Sequence, residues 1–99
     1  MISITRTASI APGKTGEAIA YGHEIAKYIK EKHNITFEVL MPIGGNPARI
    51  AWNARMANLA EWESATGKFM ADRKYMEIVS NHSDLFLPGS VCDHLWRTV

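Results

Sequence analysis

The chain has 99 residues, 46% hydrophobic and 21% charged, with a formal net charge of +1. A disordered polymer would be poorer in apolar residues and more one-sided in charge, and the length suits one domain over residues 1–99 rather than two independent cores. Lys and Arg are scattered among acids without a basic run, so nucleic-acid binding is not expected, and no stretch approaches the roughly 20 apolar residues of a membrane span.

From Ile2 to Ile10 the apolar residues Ile2, Ile4, Ala8 and Ile10 alternate with Ser3, Thr5, Thr7 and Ser9, the period of a half-buried strand that only Arg6 interrupts. This alternation lacks the continuous apolar stretch of a signal peptide, and the single Cys92 permits no intrachain disulfide, so a cytoplasmic location is expected. Pro12-Gly13 ends the strand, and Thr15 with Glu17 predicts the start of an amphipathic helix that buries Ala18, Gly22, Ile25, Ala26 and Ile29 and stops near Asn34. Residues Ile35 to Met41 read as a second strand. The turn-rich Pro42–Pro47 joins it to a third, Arg49 to Met56, with Ile50, Trp52, Ala54 and Met56 on one side. Asn58-Leu59-Ala60-Glu61 is a capping-box variant that opens a second helix, expected to end before Asn81 with Gly67 as its weak spot. After Pro88-Gly89, Ser90 to Val99 reads as a fourth strand.

The order β-α-β-β-α-β predicts an α+β, ferredoxin-like domain with a four-stranded antiparallel sheet. Right-handed crossovers place both helices on one face. With Ile2, Ile4, Phe37, Val39 and Leu95 turned toward the helices, the opposite parity leaves Thr5, Thr7, Glu38, Leu40, Asn53, Arg55, Cys92, His94 and Trp96 on a bare face. Leu40 and Trp96 form an apolar patch there, and a second copy packed face to face by two-fold symmetry would bury about 1,600 Å² and make a homodimer.

His94 is the best single candidate for proton transfer, because imidazole titrates near neutrality. Arg55 and Asn53 beside it can hold or polarise an oxygen-bearing ligand; the simpler reading gives Arg55 an ion pair with Glu38. Trp96, Leu40, Glu38 and Trp62 are the candidate ligand-binding residues, although aromatic residues at regular spacing more often fill a core. Cys92 and His94 lie two residues apart with no third ligand at a fixed spacing, so no metal is expected, and no glycine-rich phosphate loop or nucleophile elbow occurs.

The order of elements, Asn58-Leu59-Ala60-Glu61-Trp62-Glu63, Lys68-Phe69-Met70-Ala71-Asp72 and Leu87-Pro88-Gly89-Ser90 resemble the dimeric α/β-barrel superfamily, including NIPSNAP-like and antibiotic-biosynthesis-monooxygenase-like proteins. The resemblance implies a homodimer paired through sheet faces. Its members include cofactor-free monooxygenases, haem-degrading enzymes, isomerases and proteins with no known reaction. Haem-degrading members use an Asn on the first strand with a Trp and a His of the second helix; Trp62 matches the Trp, but the first strand has no Asn and His82 lies beyond the helical position. The expectation is a protein without cofactor that binds a small apolar, oxygenated molecule, as a monooxygenase or isomerase or, alternatively, as a non-enzymatic dimeric binding or stress-response module.

Overall fold

A computed structural model describes residues 1–99. Strand β1 (Ile2–Ser9) is followed by α1 (Thr15–His33), β2 (Glu38–Leu40), β3 (Arg49–Met56), α2 (Leu59–Ala71), α3 (Arg73–Asn81), a single 3-10 turn (Ser83–Leu85) and β4 (Cys92–Arg97). The sheet order is β2-β3-β1-β4, with every neighbouring pair antiparallel. This is the expected ferredoxin-like α+β arrangement, with a helix more than expected.

The register sets Ile4 opposite Ala54 and Leu95, and Arg6 opposite Trp52 and Asp93. Residues paired across strands share a face. One parity therefore carries Ile2, Ile4, Ala8, Ile50, Trp52, Ala54 and Met56, all buried, and this is the face the helices cover. Helix α1 turns Ala18, Tyr21, Gly22, Ile25 and Ile29 toward it, and α2 turns Trp62, Ala65 and Phe69. At Gly22 the helix approaches the sheet so closely that a Cβ would lie 3.0 Å from Cδ1 of Ile50, and the Trp52 indole donates to the Gly22 carbonyl at 3.2 Å. Leu95 has the helix-facing parity but stays partly exposed, because β4 is the sheet edge.

The second helix is not continuous. Asp72 takes an extended backbone conformation and ends α2, while its carboxylate accepts from the Tyr75 backbone N–H at 3.2 Å and so caps α3. The same carboxylate accepts from the Tyr28 hydroxyl at 2.7 and 2.9 Å and from His33 Nε2 at 2.8 Å. Gly67, the expected weak spot, lies inside α2. The break changes the helix phase: Tyr75 is the buried residue of α3, and Met76 is exposed. Three further expectations shift. The α1 N-cap is Lys14, without a side-chain bond, rather than Thr15; β2 pairs only from Glu38 to Leu40; and β4 spans Cys92–Arg97. The α2 cap is as expected, with Asn58 Oδ1 accepting from Glu61 N at 2.9 Å.

Candidate functional site

Between helices and sheet lies a cavity of about 290 Å³, near the lower end of the roughly 300–1,000 Å³ typical of small-molecule sites. Its floor is the helix-facing side of β1 and β3, represented by Arg6, Ala8 and Trp52. Helix α1 supplies Tyr21, Ile25 and Ile29, α2 supplies Trp62 and Phe69, and α3 supplies Tyr75 and Val79. The segment from Phe86 to Val91 closes one side. Backbone bonds from Leu87 N to Ser9 O (2.9 Å) and from Ala11 N to Leu85 O (2.8 Å) hold that segment against the end of β1.

Aromatic rings dominate the lining. Tyr21 and Phe86 each meet Trp52 edge-on with centroids 6.2 Å apart, and Phe69 stacks on Tyr75 at 5.2 Å. The polar groups are few. Arg6 bonds Asp93 through two parallel contacts, Nε to Oδ1 at 2.6 Å and Nη2 to Oδ2 at 2.9 Å. That fork raises the Arg6 pKa and holds the Asp93 carboxyl below its ordinary value, while partial burial opposes both shifts. Burial, reinforced by nearby Tyr75, pushes the Tyr21 phenol up to about 12. The Tyr75 hydroxyl lies close enough to Arg6 to help raise its pKa, and the Tyr21 hydroxyl makes no protein hydrogen bond. They are the neutral donors and acceptors the cavity offers.

Of the residues singled out in the sequence, Trp62 alone lines this cavity. His94, Arg55, Asn53, Glu38, Leu40 and Trp96 have the opposite parity and lie on the bare face. Asn53 Nδ2 donates to Thr5 Oγ1, Ile4 O and Ser3 Oγ at 2.8, 3.1 and 3.2 Å, and Arg55 donates to Thr98 Oγ1 at 3.3 Å rather than pairing with Glu38. Glu38, Asn53 and Arg55 do come together at one shallow polar depression, beside Glu61. No group of three or more His, Cys, Asp or Glu side chains is placed to hold a metal.

The sequence reading passed over Arg6, Tyr21 and Tyr75. Arg6 carried a signal: a charged residue at an apolar position of an otherwise regular strand. Tyr21 lies on the buried face of α1, one residue from Gly22, and Tyr75 was hidden by the assumption of one unbroken helix.

No family model and no curated protein matches the chain. Solved structures do. An uncharacterised NIPSNAP domain protein from Burkholderia xenovorans superposes with a TM-score of 0.84 at 12% identity, covering 100% of this chain and 95% of that one. A NIPSNAP family protein with unknown function from Agrobacterium tumefaciens gives 0.83 at 14% identity, covering 99% and 87%. An antibiotic biosynthesis monooxygenase gives 0.73 at 11% identity, covering 100% and 99%. At such identities the likeness speaks for the fold. The chain thus shares the ferredoxin-like fold of NIPSNAP and antibiotic-biosynthesis-monooxygenase proteins, the group its sequence resembles.

Proposed function

We propose that this chain binds a small, flat, apolar molecule carrying one or two oxygens in the cavity between helices and sheet, and that two copies pair through the bare sheet face. The observation that carries the first part is the cavity itself: an aromatic-walled space of about 290 Å³ with a few polar groups in its lining. Rings of a planar ligand would lie against Trp52, Trp62 and Phe69, and its oxygen would meet Tyr21, Tyr75 or the free N–H groups of Arg6.

Within this reading the binding module is favoured over the monooxygenase or isomerase. A monooxygenase or isomerase that starts by proton abstraction needs a base within reach. The cavity lining contains no His, Asp, Glu or Lys. His94 is on the far face of the sheet, and Asp93, bonded twice by Arg6, is a poor acceptor.

Pairing of two copies is supported by the exposure of Trp96 (67%) and Leu40 (41%) on a face that the chain's own helices leave open. A thermal-shift titration with 1-naphthol tests the cavity: a ligand bound only by the folded state raises the melting temperature in proportion to the logarithm of its concentration. The expected outcome is such a rise in the wild type and its loss in Val79→Phe, which sends a ring into the cavity from α3. A rise that Val79→Phe leaves intact would move the ligand elsewhere.

A further inference from the structure

Arg6 stands where the strand pattern calls for an apolar residue, between Ile4 and Ala8 on the helix-facing side of β1. It lines the cavity, and Asp93 on the neighbouring β4 takes its Nε and Nη2. The pair is about one-third exposed, at 36% and 32%, so it stands at the cavity's edge and not in its depth.

An arginine offers five N–H donors in a rigid fork that matches a carboxylate, and two of them point at Asp93. The side-on fork of Nε and Nη2 is therefore occupied, and a ligand carboxylate is left only the end-on Nη1 and Nη2 hydrogens beside a fixed negative charge. An incoming anion meets the repulsion of Asp93 along with the attraction of Arg6, and the two nearly cancel a few ångströms away. It must also leave water for a cavity lined by 13 hydrophobic residues out of 17. A hydroxyl or carbonyl is spared that desolvation cost and still finds the remaining guanidinium N–H groups and the phenols of Tyr21 and Tyr75.

We propose that Asp93 is a specificity-determining residue: by occupying the fork of Arg6 it sets the cavity to take neutral, hydroxyl- or carbonyl-bearing aromatic compounds and to reject their carboxylate counterparts. The inference rests on the reading of the cavity as a binding site. It adds the charge class of the ligand and the residue that sets it.

The test compares 1-naphthol with 1-naphthoate, which share a ring system and differ in charge, by calorimetric titration of the full chain at pH 7. The wild type should bind 1-naphthol at least tenfold more tightly. Asp93→Asn, which removes the negative charge and one of the two acceptors at nearly constant shape, should raise the affinity for 1-naphthoate at least tenfold and change that for 1-naphthol little. If the asparagine variant does not fold, Asp93→Ser removes the charge in the same way. Equal binding of both compounds by the wild type overturns the proposal and leaves the cavity reading standing. So does a folded Asp93 variant with no gain for 1-naphthoate. Binding of neither compound to wild type or variant overturns both.

Discussion

The two faces of the sheet are built from the same strands and hold different kinds of residue. On the helix side Ile4 and Ile50 are fully buried, and Trp52 closes over Gly22 with its indole nitrogen satisfied. On the other side Asn53 ties three oxygens of β1 together through one amide, and around it lie Thr5, Thr7, His94 and Trp96. The contrast separates stability from recognition in an unexpected way. The residues whose chemistry drew notice in the sequence, His94 and Arg55, sit on the bare face, while the cavity is in the helix layer among residues that read as core.

Breaking the helix side should have the largest effect. Trp52→Ala removes a buried indole beneath both α1 and the cavity, and should destabilise the chain by about 3–5 kcal/mol in chemical denaturation. On the same side, the Asp72 carboxyl is held down at about 2, first by the Tyr28 hydroxyl and then by His33, while Asp72 holds the Tyr28 phenol up at about 12. The carboxylate's contribution is complete above about pH 4, the ordinary range of an aspartate, and fades as pH falls toward 2. The phenol's contribution is complete below pH 10 and is lost as pH rises through about 12. Asp72→Asn should therefore lower the melting temperature at pH 7 and flatten its decline between pH 4 and 2. A decline as steep as in the wild type would show that other carboxylates govern acid unfolding.

The bare face calls for a different measurement. The expected patch of Leu40 and Trp96 is split between the two edge strands, β2 and β4; Trp96→Glu puts a charge at the more exposed of the two and should convert dimers to monomers in light scattering, with far-ultraviolet dichroism unchanged. A wild type that already runs as a monomer would remove the proposed pairing. The smallest effect belongs to Asn53→Ala, which deletes partly buried hydrogen bonds between β1 and β3 and should cost about 1 kcal/mol.

Much of the fold was legible because period and punctuation agreed along most of the chain. The two-residue alternation in β1 and β3 put the correct parity on the helix side, including Trp52. The capping signal at Asn58 located the start of α2. The helix break was missed because an aspartate inside a helical run reads as a surface residue until three partners are found around it, and two of them, Tyr28 and His33, lie on α1. Whether a pocket lies between helices and sheet or between paired sheets stayed open in the sequence for a related reason. Hydrophobic spacing says that Trp62 and Phe69 face inward, but not whether the space they face is filled.

The division at Asp72 also bears on how a molecule reaches the interior. Helix α3 rests mainly on α1, α2 and the 3-10 turn, and its nine residues carry Tyr75 and Val79 of the cavity wall. The cavity is already partly open at the Arg6–Asp93 edge, and displacement of this one short segment would widen it while the ladder joining β1 to β3 stays intact. In hydrogen–deuterium exchange, α3 amides should exchange sooner than those of the central strands and slow down when the space is occupied.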